Sequence, residues 1–286
     1  MESVFRASAP VADPGPELGP LLELPGTWVG DGFSLISRPD QHNNKPFFLE
    51  LNATRETLSF TSIGGPIPNR GSGQDDIFFK GVHYLQQISD AATNGALHLE
   101  PGMWLNVPAT TDPAAPASVV RMATIPHGDA LLAQGTSTIV AGPPQINAAD
   151  STPTFSTGPN AGQKLTGAYL DPFTRTRPPH GIPRAAIANP NVVLTEAIAK
   201  QKILETTVLI VDTTFPVGGL AGGIQNIPFV VKNANATSMS AIFWVEKVEN
   251  PDGTGTFMQL QYTQQVNLDF LGINWPHIQV ATLVKQ

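Results

Sequence analysis

The chain has 286 residues, a net charge of −7 and only 14% charged residues; that acidic balance gives no footprint for nucleic acid or for an anionic membrane surface. It contains no cysteine, which excludes disulfides, zinc fingers, iron–sulfur clusters, cysteine nucleophiles and thiolate-ligated haem. Its 26 glycines and 27 prolines favour short strands, turns and long loops over a helical bundle, and no stretch approaches the roughly 20 apolar residues of a membrane-spanning helix.

The first segment, "MESVFRASAPVADPGPELGP", lacks an apolar signal core, so residues 1–20 are expected to be an untargeted leader of a cytoplasmic protein. From Gly26, "GTWVGDGFSLISRP" predicts a first strand, with Gly30 and Gly32 where another backbone passes close. Strands are predicted next over 47–65, 76–90, 96–109, 118–128 and 130–140, each with β-branched or aromatic residues between turn residues. Strands in so regular a succession, with almost no helix between them, predict an all-β fold: an antiparallel up-and-down barrel.

The rhythm breaks at 141–192, where Pro, Gly, Ser, Thr and Asn dominate, and "VLTEAIAKQKILE" (193–205) predicts a helix capped by Asn191 or Thr195. Together these form a loop-and-helix insertion of about 141–205, expected over the barrel surface or its mouth. Beyond it, "TTVLIVDTTF" returns to strand, the glycine-rich "PVGGLAGGIQN" reads as a loop, and "IPFVVKN" is expected to be extended. "TSMSAIFWVEKVE" and "TFMQLQYTQQVNLDF" predict a hairpin joined by "NPDGTG". The last strand is "GINWPHIQVATLVKQ". Residues 21–286 are expected to form one domain.

A lone histidine, His277, sits in that apolar final strand. An imidazole has two ring nitrogens to satisfy, so His277 is either a satisfied core histidine or a nitrogen ligand. The blocks "LLELPGTWVGDGF", "LSFTSIGG", "LHLEPGMWLNVP", "VVRMATIPHGDALLAQGT" and "LQYTQQVNLDFLGINWPHIQVATL" resemble, in order and kind, those of nitrobindins. That family consists of small antiparallel barrels, similar in shape to fatty-acid-binding proteins and lipocalins, that hold haem b. The resemblance covers about 21–140 and 237–286.

The resemblance implies haem b as cofactor, with His277 as the ligand to its iron. It also implies a ferric haem that reacts with nitric oxide, peroxynitrite or peroxide-type ligands, through peroxynitrite isomerase or peroxidase-like activity. Alternation places Gln279 beside His277 and Ile278 on the opposite face; the family often carries a second histidine where this chain has Gln279. His127, where the family usually has threonine, is either a distal catalytic group or a turn histidine in solvent. His98 matches a family histidine and is a candidate haem contact, with Glu100 on the same face; its other reading is a half-buried polar residue.

Arg121 and Arg70 are candidate partners for a haem propionate, or members of surface ion pairs. His42, His83 and His180 are expected to be exposed. The implied partner is a small molecule, and pairing of exposed barrel faces leaves a homodimer open. Two other readings remain: a carrier of haem or of another hydrophobic molecule without turnover, and a structural domain whose barrel is filled by side chains.

Overall fold

The structure is a computed structural model that describes residues 15–286. Ten strands form one closed antiparallel barrel: β1 (Gly26–Asp40), β2 (Lys45–Ser62), β3 (Ile77–Asp90), β4 (Ala96–Val107), β5 (Ser118–Ile125), β6 (Asp129–Ala141), β7 (Ile203–Asp212), β8 (Asn235–Glu249), β9 (Thr256–Phe270) and β10 (Ile273–Lys285). Each strand pairs with the next, and β1 closes the barrel on β10 from Trp28↔Lys285 to Leu35↔Ile278. This is the expected up-and-down topology, and closure removes the sheet edges.

At the β1–β10 seam the backbones approach closely. A Cβ on Gly30 would lie 2.1 Å from the Thr282 carbonyl oxygen, and one on Gly32 would lie 2.2 Å from that of Val280. The two glycines expected at a close approach are therefore required by it.

The barrel is solid at one end. Leu18, Leu21, Leu24, Trp28, Leu58, Phe60, Val82, Trp104 and Phe243 belong to a buried inner cluster, and the Trp28 Nε1–H donates to the Leu24 carbonyl at 2.8 Å. The end of the segment expected as a leader runs into Gly15–Leu21, two short 3-10 turns kinked at Gly19 that pack against β3 and β4 and bury Leu18. The remainder, 1–14, lies outside the described residues.

The insertion, 142–202, packs on the outer face of the barrel. Leu165, Ala186, Ile187 and Leu194 join Phe33, Leu35, Trp244, Ile278 and Val280 in a second apolar cluster. Outward-facing positions of β1, β8 and β10 are thus apolar because another layer covers them. The predicted helix is shorter than expected: α1 is Asp171–Arg175, and α2 spans only Val192–Ile198, with 203–205 already in β7. Asn191 makes no side-chain cap bond. Its Nδ2 instead donates to the Asn147 carbonyl at 2.7 Å and its Oδ1 accepts from Thr263 Oγ1 at 2.5 Å, tying the insertion to β9. Leu194 is fully buried in this layer, so Leu194→Ala is expected to cost about 2–5 kcal/mol in urea unfolding.

Under the same layer, Gln201 and Gln259 exchange two amide hydrogen bonds of 2.9 Å, and Gln259 Nε2 donates to Glu246 Oε2 at 2.6 Å. Burial pushes Glu246 up to about 7 against that hydrogen bond. Its folded pKa exceeds the ordinary 4.5, so between about 4.5 and about 7 the folded state holds the extra proton. Its contribution is full below that window and is lost as pH rises through it. Glu246→Gln is expected to flatten that part of the profile when urea midpoints at pH 5 and pH 8 are compared.

The segment expected as strand "IPFVVKN" is helical instead: α3 is Pro228–Asn233, with Pro228 at the first turn. A proline there loses no hydrogen bond and pre-sets the helical φ, which outweighs the β preference of two valines. Before it, Gly223–Asn226 pairs with β6. Among the described residues, no helix is long and apolar enough to cross a membrane.

Candidate functional site

The other end of the barrel is hollow. A cavity of about 460 Å³ is lined by Ile36, Ile88, Leu97, Ile125, Leu131, Val266 and Leu268, with polar groups from Ser34, Asn52, Gln86, Gln264 and Gln279. Its size lies within the roughly 300–1,000 Å³ of small-molecule sites. No lining residue comes from 141–205; the mouth is edged by Ile224, Phe229, Val230, Asn233, Ala234 and Ala236. The insertion therefore takes the first of its two expected places, the surface, and the segment around α3 takes the mouth. Phe229 is 73% exposed although it lines the cavity.

His277 lines this cavity. On β10 it is paired with Val266 of β9, while pairing with β1 stops one residue short, at Ile278. Beyond it, the β1 side of β10 is taken by Thr154–Phe155 of the insertion, which pairs with Asn274 and Ile273. The His277 Nε2 lies 3.4 Å from Ser34 Oγ, a long contact. Burial pushes the ring down to about 3, and the imidazoles of His98 and His127 add to the shift. His277 is consequently neutral at ordinary pH, the form in which an imidazole can ligate a metal. As expected from alternation, Gln279 shares the cavity wall, and Ile278 packs in the outer cluster.

His98 and His127 also line the cavity, with ring centroids 6.2 Å apart. His98 is on β4, separated from β10 by three strands one way and five the other. It therefore stands across the barrel from His277. His127 lies in the turn between β5 and β6 and is exposed, so it is at once a turn residue and part of the rim. Asp129 lines the cavity beside them with a buried Oδ1 that has no hydrogen-bond partner, and burial raises its pKa. His42, His83 and His180 are exposed. Among the described residues, no cluster of three or more His, Asp or Glu has the arrangement to hold a metal ion.

Between cavity and apolar plug lies a layer of buried polar groups. Arg121, expected as a propionate partner, is 1% exposed and sits in this layer rather than on the cavity wall. Its Nη2 donates to Glu100 Oε1 at 2.6 Å, its Nε to Tyr84 Oη at 2.9 Å, and its Nη1 to Gln264 Oε1 at 2.6 Å. Three rings, those of Tyr84, Trp104 and Phe243, lie within 5.7 Å of the guanidinium carbon. The Tyr84 hydroxyl also donates to Glu100 Oε1. Burial opposes ionisation of Glu100, but Arg121 and His98 outweigh it and hold the carboxyl down to about 2.

Among the described residues, Glu56 is in ion-pair contact with no cation, and the charges of His98 and Arg121 lower its pKa less than burial raises it. Tyr262 Oη and Gln86 Nε2 donate to its carboxylate at 2.6 and 2.7 Å, yet burial pushes it up to about 7. The arginine that does line the cavity is Arg38, whose Nε donates to Glu50 Oε2 at 2.6 Å. Sequence reasoning missed it: it lies near the end of β1, a strand of mixed pattern, and only closure of the barrel turns it to the mouth. Arg70 forms an exposed ion pair with Asp76.

Fold and cavity together define a class: a closed ten-strand antiparallel barrel, packed solid at one end and hollow at the other, with histidines on opposite walls. Among solved structures, the chain is similar to the "Crystal Structure of Rv2717c from M. tuberculosis", at 17% identity and a TM-score of 0.47, over 97% of this chain and 99% of that one. No protein-family model matches the chain, and no curated protein matches it.

Proposed function

We propose that this barrel binds haem b, which His277 would hold through its iron, ferric at rest, and which the apolar cavity walls would shelter from water. The observation that carries the reading is a neutral imidazole on a fixed strand, facing a largely apolar cavity. A haem site needs both: a nitrogen ligand on a rigid element and an apolar enclosure. Arg38 at the rim is the cation placed for a propionate, in exchange for Glu50.

When bound, such a haem would supply an iron that takes nitric oxide, peroxynitrite or peroxide-type ligands. His127 and His98 stand on the wall across from His277 and are the imidazoles there able either to donate to such a ligand or to accept from it. The testing experiment is reconstitution with haem, followed by the Soret band of wild type and His277→Ala. Turnover is tested separately, by loss of peroxynitrite or peroxide in His127→Ala at unchanged haem content.

A second reading, carriage of haem or another apolar molecule without turnover, is favoured by the mouth. Phe229, 73% exposed, edges the mouth together with Val230 and Ala234. On that reading, haem or a fluorescent apolar probe binds reversibly and no peroxynitrite or peroxide is consumed.

A further inference from the structure

The polar layer contains a chain of contacts that runs into the cavity. His98 Nε2 is 3.2 Å from Glu100 Oε2. The other oxygen of Glu100 is held by Arg121 and Tyr84, and Arg121 is fixed in turn by Gln264 on β9. The register shifts between Ile88 and Ser89, where Ala96 and His98 are their partners on β4, and this leaves Leu97 as an extra residue. Bulges of this kind re-aim side chains. Here Leu97 and His98, neighbours in sequence, both line the cavity.

We infer that His98 is the proton-handling residue of the cavity, with Nδ1 as its working nitrogen and with Glu100 and Arg121 as positioning residues. Glu100 fixes the assignment. An ionised carboxylate only accepts, so the His98 nitrogen that faces it must carry hydrogen in either protonation state. Nε2 is therefore always N–H, and protonation changes Nδ1 alone. Neutral His98 presents Nδ1 as an acceptor; the imidazolium presents it as a donor. Nδ1 has no hydrogen bond to another described residue. One proton passed between Nδ1 and a ligand oxygen or nitrogen interconverts the two forms, and no other group changes charge.

The charged and titratable groups around His98 are Glu100 and Arg121 below it, His127 and Asp129 from the β5–β6 turn, Glu56 from β2 and His277 across the cavity. Glu100 is the one in hydrogen-bond contact. This assignment gives Arg121 a purpose other than the propionate: it keeps Glu100 ionised, and Glu100 sets the ring.

Ligand handling at Nδ1 rests on the proposed haem reading; the orientation of His98 does not. The test has one arm for each. In full-length protein with ¹⁵N-labelled histidine and no haem, His98, assigned by comparison with His98→Gln, is expected to show a slowly exchanging, downfield Nε2–H and an unprotonated Nδ1 at pH 9. That proton is expected to vanish in the double variant Glu100→Leu/Arg121→Met, which removes the buried charges together so that neither is stranded. A proton on Nδ1 instead, or an Nε2–H unchanged in the double variant, overturns the inference.

In haem-loaded protein at pH 5.5, with loading read from the Soret band, His98→Leu is expected to weaken fluoride binding by roughly tenfold or more, the size of a lost hydrogen bond to a charged group. Fluoride binding unchanged within about twofold in His98→Leu, but lost in His127→Leu, overturns the inference while leaving the haem reading intact. Failure of the wild type to take up haem removes the haem reading, and the nitrogen spectra alone then decide the orientation.

Discussion

His277→Ala is expected to bind haem at least ~100-fold more weakly than the wild type, because groups that merely orient a metal ligand are worth 10–100-fold and His277 is the ligand itself. In a reconstitution titration, the Soret band is expected to be lost, or shifted if another group coordinates. The fold is expected to survive. The His277 ring lines the cavity, its one side-chain hydrogen bond among the described residues is the 3.4 Å approach to Ser34, and its truncation is expected to cost only about 1 kcal/mol in urea unfolding. Loss of haem at near-normal stability separates a ligand from a core histidine. A destabilised variant, or a wild type with no Soret band, would sink the haem assignment.

The second large effect is expected at Glu100, through stability. Glu100→Ala leaves Arg121 buried, at 1% exposure, without its counter-charge. Stranding a buried charge in this way costs about 3–5 kcal/mol, a large share of the roughly 5–15 kcal/mol that holds a typical protein folded. Urea unfolding is the measurement, and Glu100→Leu/Arg121→Met is expected to recover most of the loss.

The same carboxyl has a defined pH signature. Its folded pKa of about 2 lies below the ordinary 4.5, so its contribution is full above about 4.5 and is lost as pH falls from there toward about 2. That acid-side slope is expected to disappear in the double variant. An unchanged acid profile would mean that Glu100 is not ionised against Arg121.

Much of the barrel was legible before the structure. Alternation and turn residues gave the strands from Gly26 to Ala141 and from Asn235 to Lys285 to within a few residues, because period-2 burial and glycine or asparagine turns are local properties. Helix α3 was not legible. Its sequence favours a strand, and what decides it is the proline at its start together with its place across the barrel mouth. The predicted helix at 193–205 ran too long because the residues after Ile198 pair with no sheet until Ile203, and the apolar spacing does not mark that boundary.

The site divides in the same way. By itself the sequence determined an all-β chain without cysteine chemistry, the final strand with its single histidine, and the side-by-side placement of His277 with Gln279 and of His98 with Glu100. These follow from residue type and a two-residue period, which need no knowledge of partners. Tertiary structure alone decided that His277 and His98 face each other across a cavity and that Arg121 lies beneath it. It also decided that Arg38 edges the mouth and that the insertion covers the outer wall. Those facts depend on which strands meet when the sheet closes, and closure is set by pairings between residues as distant as Trp28 and Lys285. No local pattern in the chain records such a pairing.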